Sequence, residues 1–321
     1  MKLGVSHQRP EMLTDDHLAY LKRMGVESLE VRTTSDRCSY AEIMAIKETV
    51  EGAGLHVHEI MLNDKYSSPE VTLGLPERDA TLELLRRFIK DLGRAGIKHT
   101  TYAWHTGGAY ETHRTEIRGC PTRRFELDAA LAMPNRYDRT YSDDEMWESY
   151  RYFIDQVVPV AQAADVRLQL HPNDPPVTHQ GVARIFRSTE NYRRGMDLSG
   201  NNPYNGILFC VGSWAEMFGP NGAGEDIPAA IGEFGAKGLI HQVHFRNINS
   251  NMPNFNETFP DDGYVDMVAV FEALAEVGFD GMVVPDHVPN TPDGLSGEAF
   301  IFGYIRALIQ MAEERKKKIL P

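Results

Sequence analysis

The segment RDATLELLRRFIKDLGRAGIKHTTYAWH, residues 78–105, contains one complete unit of the pattern that decides the fold. In residues 78–95 the apolar side chains recur at the spacing of one helix face. Gly96 follows, and glycine readily takes the left-handed conformation in which many helices end. Residues 99–104 are then rich in β-branched and aromatic side chains, as is typical of a strand. The segment therefore predicts a helix, a tight turn and a strand.

The same alternation recurs along the whole chain. Strands are predicted at residues 2–7, 28–32, 55–60, 99–104, 166–172, 206–210, 240–247 and 281–287. Amphipathic helices are predicted at residues 15–24, 40–53, 78–95, 143–164, 181–194, 227–234, 265–277 and 298–315. Strict alternation indicates parallel strands joined by crossover helices, and eight of each fit a closed (β/α)8 barrel of the α/β class. An open doubly wound sheet is the competing architecture, but no Gly-x-Gly-x-x-Gly motif follows the first strand.

Composition limits the size, partners and compartment of the protein. The 321 residues are 42% apolar and 25% charged, which is ordinary for a globular protein, and we expect one barrel domain over residues 1–321. The net charge of −13 and the scattered basic residues argue against nucleic acid as a partner. No apolar run approaches the roughly 20 residues of a membrane-spanning helix. Three widely separated cysteines predict reduced thiols and a cytoplasmic location.

Residues 106–143 do not fit the simple strand-and-helix unit. They follow the fourth predicted strand and contain six arginines, Arg114, Arg118, Arg123, Arg124, Arg136 and Arg139. Loops of this length in compact domains are usually functional or mobile. We therefore predict a lid over the barrel rim or a subunit contact in a homo-oligomer, with a disordered insertion as the alternative.

Four potential metal ligands end the last four predicted strands. They are His171, Cys210, His244 and Asp286, each about one barrel repeat from the next. The carboxyl ends of barrel strands converge on one face, so these side chains are expected to meet. Mixed nitrogen, sulfur and oxygen ligands suit Mn²⁺, Fe²⁺, Co²⁺, Ni²⁺ or Zn²⁺ better than Ca²⁺ or Mg²⁺. Each residue alone has a simpler explanation, as a buried thiol, a structural histidine or a helix cap.

Several short motifs carry a resemblance to a known family. They are His171-Pro-Asn-Asp-Pro-Pro176, Asn205-Gly-Ile-Leu-Phe-Cys-Val-Gly-Ser213, His244-Phe-Arg-Asn247, Phe255-Asn-Glu257, Gly263-Tyr-Val-Asp-Met267 and Pro285-Asp-His287. In order and strand placement they resemble the mannonate dehydratases. The resemblance implies a xylose isomerase-like TIM barrel that dehydrates D-mannonate to 2-keto-3-deoxy-D-gluconate in hexuronate catabolism, usually with Mn²⁺. It also implies metal ligation by the same four residues that end the strands.

A mechanism follows as a hypothesis. A divalent ion that chelates the carboxylate and 2-hydroxyl of a sugar acid would stabilise the charge that develops when a base removes the C2 proton. Arg246 is a candidate to pair with the carboxylate, because its fork matches two oxygens. His287, Tyr304 and Asp174 are the other catalytic candidates. Substrate-binding candidates are Asn173, Asn247, His7 and His105.

Two alternatives remain open. A metal-dependent sugar isomerase or epimerase would share the barrel, although such enzymes usually use carboxylate-rich metal shells, and Cys210 argues against one. A non-catalytic barrel that only binds a sugar acid is the other alternative. Here Asn173 and Asp174 stand where the family usually has two acidic residues, and Thr258 stands where it has a histidine.

Overall fold

The computed structural model describes residues 1–287 and 290–319 of the chain. Its strands, in chain order, are β1 (Lys2–Gln8), β2 (Ser28–Thr33), β3 (His56–Leu62), β4 (His99–Ala103), β5 (His113–Ile117), β6 (Cys120–Glu126), β7 (Arg167–His171), β8 (Asn205–Cys210), β9 (Ile240–Phe245), β10 (Asn247–Ile248), β11 (Asn254–Thr258) and β12 (Met282–Pro285). Eight of them form a closed parallel barrel in the order β1-β12-β9-β8-β7-β4-β3-β2. The predicted (β/α)8 fold is therefore confirmed.

The α-helices cover the outside of the barrel and the loops at its rim. They are α1 (Asp15–Arg23), α2 (Tyr40–Gly52), α3 (Pro69–Thr72), α4 (Arg78–Ala95), α5 (Leu127–Leu131), α6 (Asp143–Ala164), α7 (Thr189–Leu198), α8 (Val211–Glu216), α9 (Ile227–Ala236), α10 (Met267–Glu276) and α11 (Ser296–Ile319). Local signals fix several ends: α6 begins with a capping box of Ser142 and Glu145, and α4 ends at Gly96, whose φ is 78°. In the described part of the chain, no helix combines the length and the apolarity needed to cross a membrane.

The predicted helix over residues 181–194 is wrong in its first half. Helix α7 begins only at Thr189, where the Ser188 side chain accepts a hydrogen bond from the backbone N–H of Asn191. Before it, the buried guanidinium of Arg184 donates hydrogen bonds to carbonyl oxygens of Asp174, Pro175, Thr106 and Gly108. These contacts join two rim loops, so residues 181–187 form an irregular segment that serves tertiary contacts rather than helix.

Residues 106–143 also differ from the predicted loop. They contain β5, β6 and α5, and β5 and β6 form a hairpin through Arg118 and Gly119, whose φ angles of 52° and 75° suit a two-residue turn. Strand β6 pairs with β11, and β11 with β10, to give an antiparallel sheet in the order β10-β11-β6-β5. We call it the rim sheet. Because residues 113–131 contain β5, β6 and α5, they do not form the disordered insertion that was the alternative prediction. Their roles as a lid or as a subunit contact stay predictions.

Part of the barrel interior is polar. Thr101 Oγ1 donates a 2.7 Å hydrogen bond to Glu59 Oε2, and Gln169 donates to the same carboxyl and to Gln242. All four residues are buried, whereas barrel interiors are usually filled by branched apolar side chains. Burial and the neighbouring Glu30 carboxylate raise the pKa of Glu59 to about 8.

This raised pKa makes stability depend on pH. As pH rises from about 5 to 8, the unfolded chain loses the Glu59 proton while the folded chain keeps it, so the free energy of unfolding falls over this range. Glu59→Gln stays neutral and should not show this fall. We expect the unfolding free energies of wild type and variant, from urea titrations at each pH, to diverge by at least about 1 kcal/mol between pH 5 and 8. A difference independent of pH would contradict this account.

Candidate metal centre

Four side chains converge at the carboxyl end of the barrel. His171 and Cys210 are the last residues of β7 and β8, His244 lies near the end of β9, and Asp286 follows β12. Cys210 lies opposite His244 on the neighbouring strand, and His244 lies opposite Val284 on the next one. Asp286 is two residues beyond Val284 and therefore lies on the same face. One ligand atom from each of the four lies within 4.8 Å of the others. The cluster is buried and fits a divalent metal ion.

Polar contacts orient one ring nitrogen of each histidine toward the cluster. Nδ1 of His171 lies 2.7 Å from the carbonyl oxygen of Pro172, which can only accept, so Nδ1 carries the proton and Nε2 is free to bind. Burial lowers the pKa of His171 to about 4, which keeps the ring neutral. Nε2 of His244 lies 3.4 Å from Glu30 Oε2, and its Nδ1 lies 3.3 Å from Asp286 Oδ1, an oxygen of another candidate ligand. Although burial favours the neutral ring, the Asp286 carboxylate raises the pKa of His244 well above its usual value, so metal binding would displace a proton from Nδ1.

The Cys210 thiol has two hydrogen-bond donors from the start of α8. The backbone N–H of Ser213 lies 3.4 Å from Sγ and the Ser213 hydroxyl 3.1 Å from it. Burial raises the pKa of Cys210, and the Arg246 guanidinium opposes that rise. Because these donors and the guanidinium favour the thiolate, the site is arranged to release the thiol proton when a metal binds.

Arg246 lies behind the ligands in a buried network of charges. Its Nε donates to Asp286 Oδ2 at 2.9 Å, and one terminal nitrogen contacts Asp174 and Glu216 at 2.8 Å. Arg123, from β6, contacts the same two carboxylates at 2.6 and 2.7 Å. These contacts favour a role for Arg246 in positioning Asp286. Its pairing with a substrate carboxylate, and a catalytic role for Asp174, stay predictions.

The other candidate residues divide into two groups. His7, His105 and His287 line a cavity of about 160 Å³ that also contains His171, His244 and Asp286, which we call the metal cavity. His287 and His7 also line a neighbouring cavity of about 380 Å³ under the rim sheet, the outer cavity.

Asn173, Asn247 and Tyr304 have structural contacts instead. Asn173 bridges the carbonyl of Trp104 and the N–H of Phe186, and Asn247 donates to the carbonyls of Pro260 and Val265. Tyr304, on α11, packs against Phe245 and Phe300, with ring centroids 5.9 and 6.3 Å away. Their predicted roles at the substrate remain untested.

Sequence reasoning missed Glu30 and Arg32, which line the metal cavity from β2. Arg32 Nε donates a 2.7 Å hydrogen bond to Glu30 Oε1, and Glu30 Oε2 faces His244. A signal was present, because the two charged residues alternate with the apolar Leu29 and Val31 and therefore share one face of the strand. Buried charges of this kind are usually paired or bind a ligand.

The closed eight-stranded parallel barrel is a TIM barrel, and solved structures with this fold include xylose isomerase-like TIM barrel proteins. L-ribulose 3-epimerase has a TM-score of 0.64 at 13% identity, covering 100% of this chain and 98% of that one. Mannonate dehydratase from Streptococcus suis serotype 2 has a TM-score of 0.86 at 23% identity, covering 98% and 95%.

The family model for D-mannonate dehydratase (UxuA) matches residues 17–126 and 120–311. Mannonate dehydratase from Thermotoga maritima is 31% identical over 87% of this chain and 88% of its own length. Mannonate dehydratase 1 from Halalkalibacterium halodurans is 30% identical over 77% of this chain and 76% of its own. The chain belongs to the D-mannonate dehydratase family.

Removal of the sulfur ligand tests the metal centre. Cys210→Ala deletes one of four donors, so we expect metal affinity to fall by at least about a hundredfold, since even loss of an outer partner can cost that much. Metal content after dialysis against Mn²⁺ or Co²⁺, measured by elemental analysis, reports the change. Cys38→Ala removes a half-buried thiol elsewhere and is the matched control. Equal occupancy in the two variants would refute the assignment.

Proposed function

We propose that this chain is a hydro-lyase that dehydrates a sugar acid, with D-mannonate as substrate and 2-keto-3-deoxy-D-gluconate as product. The observation that carries the proposal is the cluster of His171, Cys210, His244 and Asp286 in a barrel of the mannonate dehydratase family. The relatives from Thermotoga maritima and Halalkalibacterium halodurans carry the name of this activity. We propose Mn²⁺ as the metal, with Fe²⁺, Co²⁺, Ni²⁺ and Zn²⁺ as alternatives.

A bound divalent ion would act as a Lewis acid toward the carboxylate and 2-hydroxyl of the substrate. The chain's own residues hold the four donors in place. Glu30 fixes the ring of His244 from β2, and Arg246 fixes the carboxylate of Asp286. Both contacts are buried, so the donors keep their orientation when a substrate enters.

Protonation of the leaving group is assigned to one histidine of the metal cavity. Dehydration removes the C2 proton and releases the 3-hydroxyl, after protonation, as water; the resulting enol becomes the 2-keto product. His287 borders both cavities, and its Nδ1 lies 2.5 Å from Glu257 Oε1, which orients the ring. We assign His287 to protonation of the departing hydroxyl. His7 and His105 also line the metal cavity, and burial lowers the pKa of His7 to about 3 and that of His105 well below its usual value, so we assign these neutral rings to hydrogen bonds with substrate hydroxyls.

Arg32 is the best-placed cation for the substrate carboxylate. Among residues 1–287 and 290–319 its one hydrogen-bonding partner is Glu30, reached through Nε, so both terminal nitrogens are available. Its side chain lines the metal cavity and is 21% exposed, whereas that of Arg246 is 2% exposed and contacts carboxylates of the protein. A guanidinium with two free nitrogens matches a carboxylate in two parallel hydrogen bonds.

Arg32→Met tests this assignment. We expect the KM for D-mannonate to rise at least tenfold, because charge-assisted hydrogen bonds to the carboxylate are lost. Arg37→Met removes an exposed charge in the loop that follows β2 and should leave KM unchanged within about twofold. Thermal unfolding of both variants checks that the fold is retained. An unchanged KM in folded Arg32→Met would exclude the contact.

Turnover of D-mannonate tests the proposed function itself. Protein loaded with Mn²⁺ should convert D-mannonate to a 2-keto-3-deoxy acid that has lost one water, observed by mass spectrometry. A rearranged product of unchanged mass would instead support an isomerase or epimerase, the activity named for several structural neighbours. Absence of turnover with a panel of aldonates would support a non-catalytic sugar-acid-binding protein. Cys210→Ala is the control for metal dependence.

We also propose that the protein acts in the cytoplasm as a homo-oligomer and that the rim sheet is a lid or a subunit contact. Glu111, Arg114 and Arg123, in or next to its hairpin, line the outer cavity. This position beside the metal cavity supports a role in admitting substrate.

A further inference from the structure

Tyr66 lines the metal cavity and has no role in the mechanism proposed so far. It lies in the connection between β3 and α3. Its carbonyl oxygen accepts a 2.7 Å hydrogen bond from the backbone N–H of Ala103, the last residue of β4. Because β3 and β4 are adjacent in the barrel, this contact ties the connection to the next strand. The backbone of Tyr66 is therefore held at the rim where the candidate metal ligands lie.

Two imidazoles pack against the ring of Tyr66. The ring centroids of His105 and His171 each lie 6.0 Å from that of Tyr66, and the rings meet edge-on at interplanar angles of 73° and 65°. Aromatic rings favour this edge-to-face arrangement. His171 is a candidate metal ligand, and all three residues line the metal cavity. The phenol ring is therefore fixed beside the cluster.

The Tyr66 hydroxyl has no hydrogen-bonding partner among residues 1–287 and 290–319, and it can be reached from the cavity. The hydroxyls of Tyr110 and Tyr192 also lack partners, but they are sealed from solvent. The Tyr66 side chain is instead half-buried and borders the cavity. A phenol has one proton to donate, so a ligand that enters the cavity can accept it.

The surroundings of the hydroxyl make it a hydrogen-bond donor rather than a base. Burial raises the pKa of Tyr66 well above its usual value, and the Arg32 guanidinium opposes this rise. The phenol therefore keeps its proton at neutral pH. Arg32 lies on β2, the strand next to β3, and lines the same cavity with its terminal nitrogens available. Two neighbouring donors, one of them charged, favour an acceptor that carries negative charge.

We propose that Tyr66 is a catalytic residue whose hydroxyl donates a hydrogen bond to the carboxylate of the substrate, beside Arg32. The assignment rests on the proposed dehydration of a sugar acid. Because both donors line the cavity that contains His171, His244 and Asp286, a carboxylate held at that cluster can reach them.

The hydrogen bond from Tyr66 strengthens as the reaction proceeds. When a base removes the C2 proton, the electron pair of the C2–H bond forms a C1–C2 double bond, and negative charge builds up on the carboxylate oxygens. That pair then moves to form the C2–C3 double bond of the enol, while the 3-hydroxyl takes a proton from His287 and leaves as water. Tyr66 keeps its own proton through both steps. A donor fixed where charge develops stabilises the transition state more than the bound substrate.

Steady-state kinetics of the Mn²⁺-loaded full chain test this role. Tyr66→Phe keeps the ring and removes the hydroxyl. We expect kcat for D-mannonate to fall at least about tenfold and KM to change by less than about threefold, since loss of one such donor can cost roughly 10²–10³ in kcat. Tyr20→Phe makes the same change on α1, away from both cavities, and should stay within about twofold of wild type. A raised KM with unchanged kcat would overturn the proposal, because it would indicate equal binding of substrate and transition state.

Binding of D-mannonohydroxamate is a second readout, and it does not need turnover. Its planar hydroxamate resembles the charged, planar C1–C2 unit that forms when the proton leaves. By calorimetry, Tyr66→Phe should raise the Kd at least about tenfold and Tyr20→Phe should leave it within about twofold. Metal content and thermal unfolding should match wild type in both variants, because Tyr66 is not among the candidate ligands.

The two readouts separate this assignment from the proposed function. If the wild type leaves D-mannonate unchanged, the proposed function fails, whereas weaker hydroxamate binding by Tyr66→Phe still supports Tyr66 as the donor. If the wild type dehydrates D-mannonate and Tyr66→Phe matches it in kcat, the assignment of Tyr66 fails and the proposed function stands. Equal hydroxamate affinity in the wild type and Tyr66→Phe also overturns the assignment.

Discussion

The guanidinium of Arg246 pairs with the buried carboxylates that surround the candidate metal ligands. It contacts Asp286 on one side and Asp174 and Glu216 on the other, and Arg123 contacts the last two again. Burial and the Asp174 carboxylate raise the pKa of Glu216 to about 8, which lowers the negative charge of the group. The carboxylates of Asp174, Asp286 and Glu257 are matched by Arg123, Arg246 and the His287 ring, whose pKa is raised by Asp286 and Glu257. This pairing explains how so many acids share one buried region, and a divalent cation at the cluster would offset the further negative charge of a Cys210 thiolate.

Polar side chains inside the barrel also orient one residue of this cluster. Gln242 donates to Glu30 Oε2 at 3.2 Å, and Glu30 faces His244, while Gln242 also accepts from Gln169. The orientation of the His244 imidazole is thereby connected to side chains of two other barrel strands, β2 and β7. A core of branched apolar residues would fill this space but could not orient an imidazole through hydrogen bonds.

Much of the fold and of the ligand set could be predicted because both follow from local periodicity. Eight strands of period two and their intervening helices have recognisable patterns, and parallel strands necessarily bring their carboxyl ends together, which places His171, Cys210, His244 and Asp286 on one rim. The rim sheet could not be predicted in this way, since β6 pairs with β11 far along the chain and its arginines obscure the strand pattern. The irregular segment before α7 depends on the distant carbonyls that Arg184 binds. The contacts of Asn173 and Asn247 are equally non-local.

The barrel strands carry the candidate metal ligands and the rim sheet forms much of the outer cavity. This separation has a consequence for how such proteins diversify. Each of the four candidate metal ligands belongs to a barrel strand or to the residue that follows it, whereas much of the wall of the outer cavity comes from the β5–β6 hairpin and β11. Substitutions in the insertion can therefore reshape the entrance while the ion-binding chemistry is inherited unchanged. Over evolutionary time, descendants of one barrel could accept acids of different length or stereochemistry without rebuilding the reactive core.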